Sequence, residues 1–145
     1  MFESCLKKQE EVKKLFAPCT NLEDRYQLII DLGRKQTPLP PEDKIDQTRV
    51  IGCQSNMFLK AYLQNNRCQF LTESDALISA GLGVLLTLVY SDEPAETVLK
   101  CPPSYLDELN IRASLTPGRA NGLASLYLRM KQEALKMYMS QQTNK

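Results

Sequence analysis

Arg49-Val50-Ile51-Gly52-Cys53-Gln54-Ser55-Asn56-Met57-Phe58-Leu59-Lys60-Ala61-Tyr62-Leu63-Gln64-Asn65-Asn66 sets the architecture of this 145-residue chain. Alternation from Asn56 to Gln64 puts Met57, Leu59, Ala61 and Leu63 on one face and Phe58, Lys60 and Tyr62 on the other. That is the period of a half-buried strand. Asn65-Asn66 is a hairpin signal, because asparagine tolerates positive φ. Cys68 to Glu73 is expected to return as another strand, and Arg49 to Gly52 to precede both as a short one. Such a meander needs helices on one face. The expected class is therefore α+β, a small three-stranded antiparallel sheet packed against several helices. Gly52-Cys53 falls at the break between the first two strands. Glycine lets the chain bend sharply and leaves the next thiol at a bend rather than on a periodic face. The plain alternative is that Cys53 packs as a small apolar residue, as most free cysteines do.

The segment from Ala76 to Tyr90 is apolar nearly all round, which marks a buried helix. It is too short for a bilayer, which needs about 20 residues. Ala80, Gly81 and Gly83 lower its helix propensity and are expected to permit close packing. Ser74 or Asp75 is the expected cap. Upstream, residues 2 to 16 carry Phe2, Cys5, Leu6, Val12, Leu15 and Phe16 at helical spacing, with Gln9 as a gap. Asn21 is a good N-cap for a second helix, with Gly33 as its C′ residue. Thr37-Pro38-Leu39-Pro40-Pro41 reads as an extended connector. Glu93-Pro94 opens a short helix to about Lys100, Cys101-Pro102-Pro103 interrupts the chain, and Ser104 to Leu109 forms another.

Thr116-Pro117 caps and opens the last helix, whose apolar face is Leu123, Leu126, Tyr127, Met130, Ala134 and Met137. Residues 141–145 are expected to fray from a single domain spanning 1–145. Arg119 is the anomaly, because a cation in a first helical turn opposes the macrodipole. A salt bridge to Asp75 or another carboxylate is the simplest reason for it.

The chain has 18 basic and 17 acidic residues, a formal net charge of +1. That gives no electrostatic ground for nucleic acid or a membrane surface as partner. Five cysteines with no Cys-x-x-Cys pair indicate neither a disulfide framework nor a zinc site. Charged residues interrupt any apolar run near Met1, so a cytoplasmic, reducing location is expected. Histidine is absent, which removes Cys–His catalysis and His-ligated metals from this chain.

Three stretches resemble the SufE family, the sulfur-acceptor partners of cysteine desulfurases in iron–sulfur cluster assembly. They are Asn21-Leu22-Glu23-Asp24-Arg25-Tyr26 running on to Ile29-Ile30-Asp31-Leu32-Gly33, then Val50-Ile51-Gly52-Cys53-Gln54-Ser55, then Leu115-Thr116-Pro117-Gly118-Arg119-Ala120-Asn121-Gly122-Leu123. They stand in family order and span most of the chain. Phe58 stands near where the family often has tryptophan, and this chain has no tryptophan.

The resemblance implies a SufE/IscU-like fold and a persulfide-accepting role for Cys53. It also implies a cysteine desulfurase (SufS-like or CsdA-like) as donor, with a downstream iron–sulfur scaffold or other acceptor as recipient. No cofactor or metal of the chain's own is implied. Gly52 would give access. Gln54 and Ser55, through backbone N–H groups and the Ser55 hydroxyl, would favour the thiolate. The resemblance places Asp75 near the cysteine loop and Arg119 close to that loop or to the docking face, where each would tune the thiol. Met57, Phe58 and the core helix would shelter the persulfide. Three other readings use the same residues, the plainest being an adaptor in which Cys53 merely packs. An IscU-type cluster scaffold would bind iron, against which the scattered cysteines and missing histidine argue. A thiol redox protein would resolve Cys53 with Cys68 or Cys101.

Overall fold

A computed structural model describes residues 1–143. Helices α1 (Glu3–Phe16) and α2 (Leu22–Arg34) lead into the hairpin β1 (Met57–Gln64) and β2 (Arg67–Ser74). Helix α3 (Leu77–Tyr90), the short α4 (Ala95–Lys100) and α5 (Ser104–Glu108), and the long α6 (Pro117–Thr143) follow. The class is α+β, as expected. The hairpin pairs Met57 with Ser74 through to Gln64 with Arg67, so Asn65 and Asn66 make a two-residue loop. Both have positive φ, 55° and 62°, the geometry that admits asparagine.

The expected third strand does not form, and the sheet has two strands among the described residues. The segment before Cys53 starts to pair with β1. Leu59 N donates to Thr48 O at 2.7 Å and Val50 N to Met57 O at 2.8 Å. Pairing stops at one isolated Arg49–Phe58 bridge, because Gly52, at φ +98°, turns the chain away. The opposite edge is covered by a similar single bridge between Cys68 and Glu93. Both edges of the hairpin are thereby blunted.

α3 is the core element. Its Ile78, Leu82, Leu85, Leu86, Val89 and Tyr90 are buried, and it packs on α1, α2, α6 and β2. Gly33 is not the end of α2 but lies inside it, where it meets Ala80 and Gly81 of α3. Gln9, the gap in the α1 stripe, is buried and fully used. Its Nε2 donates to Pro102 O at 3.0 Å, and its Oε1 accepts from Tyr105 N at 3.4 Å. The same Nε2 lies 3.7 Å from the thiols of Cys5 and Cys101. Cys101, beside two prolines, is therefore a core residue.

Asn21 caps α2 as expected, accepting from Asp24 N at 2.8 Å. Neither expected residue caps α3 in the usual way. Ala76 is its N-cap residue, with Ser74 Oγ accepting the Ala76 N–H at 3.2 Å. α6 runs to Thr143, past the expected fraying point, and residues 144–145 lie outside the described residues. No described helix is long and apolar enough to cross a membrane.

Candidate functional site

The site is the bend between the Arg49–Phe58 bridge and β1, pressed onto the first turns of α6. Gly52 has a conformation that L side chains rarely adopt, and a Cβ there would lie 2.4 Å from Ser125 Oγ of α6. Gln54 lies across Gly118, where a Cβ would fall 2.2 Å from Gln54 Oε1. Cys53 sits over Gly122, donating its S–H to Gly122 O at 3.6 Å. Two glycines four residues apart thus form a notch on α6 that receives the loop. Their signal was present in the sequence, since glycines in the opening turns of a helix cost propensity without a reason of their own.

The thiol faces two spaces. Inward is an apolar slot of about 10 Å³ walled by Met57, Leu82, Leu123 and Leu126, at the lower limit for holding one water. Outward is a solvent-open groove of about 240 Å³ edged by Gln54, Ser55, Ala76, Ser79, Gly118 and Arg119. Met57 and the core helix therefore supply walls as expected, but Phe58 does not. Strand alternation sends Phe58 to the other face of β1, where it bridges Arg49. α6 supplies the remaining wall.

Burial pushes the Cys53 thiol up from its ordinary pKa. Among the described residues the one polar partner of the sulfur is a carbonyl, which favours the protonated form as well. The expectation that loop N–H groups and Ser55 hold a thiolate is thus not met in this conformation. Ser55 Oγ instead accepts from Ser74 Oγ at 3.2 Å. Arg119 lines both spaces, is exposed, and takes part in none of the ion pairs among the described residues. Its backbone N–H is held by Thr116 Oγ1 at 3.4 Å.

Asp75 makes no salt bridge to Arg119. Its carboxylate accepts from Asn56 N at 3.0 Å and Asn56 Nδ2 at 2.9 Å, pinning the exit of the cysteine loop to the start of α3. Asp75→Ala removes both bonds, and Cys53 alkylation by iodoacetamide is expected to accelerate by about threefold to tenfold. An unchanged rate would mean that the pin does not hold the loop.

The other cysteines have different settings. Cys5, Cys68 and Cys101 are buried, and burial pushes Cys68 up to about 11 and Cys5 up as well. No second cysteine lines either space beside Cys53. Among the described residues, no group of three or more His, Cys, Asp or Glu side chains stands close enough to hold a metal ion.

A family model described as "SufE: Fe-S metabolism associated domain" matches residues 10–134. The sulfur acceptor protein CsdE of Escherichia coli (strain K12) is 35% identical over 119 residues, 81% of each chain. The cysteine desulfuration protein SufE of Wigglesworthia glossinidia brevipalpis is 29% identical over 123 residues, 83% of this chain and 85% of that protein. A solution structure of a hypothetical protein from Thermus thermophilus superposes with a TM-score of 0.75 at 25% identity, covering 91% of this chain and 96% of that one. With a family match over most of its length and a relative above 30% identity, this chain belongs to the SufE family.

Proposed function

We propose that this protein accepts sulfur from a cysteine desulfurase onto Cys53, stimulates that enzyme, and passes the sulfur on within iron–sulfur cluster assembly. The observation that carries the reading is the setting of Cys53. It lies at a glycine bend between an open groove and an apolar slot of about one-atom size. The relatives' names, sulfur acceptor and cysteine desulfuration protein, support the same role.

The transfer is trans-persulfuration. Cys53, as thiolate, attacks the terminal sulfur of the desulfurase persulfide, and a new S–S bond forms on Cys53. The donor S–S bond breaks, and the desulfurase cysteine leaves as thiolate. No external oxidant or reductant is needed. The rate follows thiolate fraction and access. The resting loop leaves the thiol half-buried, with its pKa pushed up by burial, so release of the loop from its α6 notch when a donor docks raises both. Afterwards the slot walled by Met57, Leu82, Leu123 and Leu126 can shelter the terminal sulfur from solvent thiols and oxidants. Pyridoxal chemistry stays with a SufS-like or CsdA-like donor, and a scaffold or other acceptor takes the sulfur next.

The test is intact-protein mass after incubation with a cysteine desulfurase and L-cysteine, followed by peptide mapping. One added sulfur on Cys53 supports the reading. No gain with an active desulfurase would overturn it.

A further inference from the structure

The Cys53 notch uses only the first turns of α6, yet the helix continues to Thr143. Its inner face is buried through Leu123, Leu126, Met130 and Ala134. Its outer face is still apolar and is covered by none of the described residues. Leu128 is 56% exposed, Leu135 47% and Met139 60%. These three, with Gln132 between them, fall at spacings of three and four, which align on one helical stripe. The stripe runs directly into the cysteine loop. Ile51, two residues before Cys53 and 81% exposed, borders a groove of about 260 Å³ whose other walls include Ser125, Leu128, Arg129 and Gln132. An apolar side chain this exposed, beside the proposed reactive thiol and continuous with a helical stripe, marks an interaction surface.

The charges beside the stripe say what fits it. Beside it α6 carries three basic residues, Arg129, Lys131 and Lys136, against one acidic residue, Glu133, while Arg119 lies on the opposite side of the helix at the Cys53 spaces. At 100° per residue, Lys131 lies along one edge of the stripe, and Arg129 and Lys136 along the other. Glu133 pairs with Arg129 and Lys136, whereas Lys131, whose ammonium lies 5.5 Å from the Tyr127 ring centroid, makes no ion pair among the described residues. Pairing two copies of the stripe, parallel or antiparallel, would set basic edges against basic edges, which costs affinity. A second copy is therefore the wrong occupant. The complement is an apolar ridge ringed by carboxylates.

We infer that the Ile51–Leu128–Leu135–Met139 stripe is the docking surface for the persulfide donor, and that the donor presents an apolar, acid-rimmed ridge to it. The inference rests on the sulfur-acceptor reading above. Docking there covers Ile51, so the partner would grip the segment that must move to release Cys53. Recognition along α6 would thereby be coupled to extraction of the loop at its N-terminal end.

The experiment measures the binding of the full chain to the desulfurase that charges Cys53. The wild type is compared with Leu128→Glu, Leu135→Glu and the double variant Lys131→Glu/Lys136→Glu. Leu6→Glu, at the similarly exposed Leu6 on α1, is the control. The glutamates in the stripe are expected to weaken Kd by at least about tenfold. The lysine reversals are expected to weaken it by about tenfold and to flatten its dependence on salt. Circular dichroism of the variants and charging of Cys53 by a small-molecule persulfide should match the wild type. Wild-type charging with unchanged Kd in all variants would overturn the docking surface and leave the acceptor reading intact. Failure of the wild type to be charged would overturn both. A self-associated wild type that Leu128→Glu converts to monomer would replace the desulfurase with a second copy as occupant and overturn the inference.

Discussion

Gly81→Ala is expected to destabilise the fold by about 2–4 kcal/mol, although alanine is the better helix former by about 1 kcal/mol. The steric cause is specific. A Cβ on Gly81 would lie 1.9 Å from Ile29 O, 2.5 Å from Ile29 Cγ2 and 2.6 Å from Ile29 C. Two of those atoms are backbone, so no rotamer change relieves the clash. The whole of α2 must back away from α3, and Gly33 shows how close the two helices run there, since a Cβ on it would meet Gly81 N at 2.7 Å. Separating the helices loosens Ile29, which is buried, together with the face of α3 it covers. Urea titration at constant m-value measures the loss, and thermal melting should fall by roughly 5–15 °C for a chain of this size. A stability equal to or above wild type would mean that the α2–α3 crossing yields easily. The site would feel the change too, because α3 carries Leu82 and Ser79 to the spaces beside Cys53. A variant that folds but leaves Cys53 more reactive to alkylation would report a displaced wall.

That crossing was readable from small residues in an otherwise apolar helix, and much else was legible for similar reasons. The Asn65-Asn66 turn, the β1 alternation, the Asn21 cap and the Thr116-Pro117 start of α6 each depend on local chemistry that the sequence displays directly. What was not legible depends on partners distant in sequence. Arg49 to Ile51 has the composition of a strand, but whether it pairs for one residue or four is decided by where Gly52 turns. The resemblance puts Phe58 in the cysteine pocket, but strand alternation sends it to the other face of β1. Asp75 has the position of a helix cap, yet its carboxylate is claimed by Asn56, whose approach follows from the hairpin register. The sharpest difference concerns the thiol. The neighbours of Cys53 in sequence are groups that favour a thiolate, but the helix wall and the Gly122 carbonyl favour the thiol. Neither group is near it in sequence.

Cys53→Ser is expected to abolish sulfur uptake and return the desulfurase to its unstimulated rate, because a hydroxyl cannot form the persulfide. The variant should fold normally, since serine is smaller than cysteine and Gly122 O can accept from it as it does from the thiol. Full stimulation by Cys53→Ser would reduce the protein to an adaptor that works by docking alone. The wild-type thiol allows a second measurement that separates chemistry from docking. Burial raises its pKa in the free protein, so the thiolate fraction near neutral pH is smaller than for an unburied cysteine. Alkylation of free Cys53 should therefore climb with pH to a midpoint above that of a small-molecule thiol. Donor docking that lifts the loop removes both the apolar walls and the Gly122 carbonyl, and the midpoint should fall toward the ordinary cysteine value. In this scheme the resting state suppresses reaction with stray electrophiles and oxidants, and the complex restores it where sulfur is available. A midpoint in the free protein at or below that of an unburied cysteine would remove the suppression. Loop extraction would then be a matter of access alone.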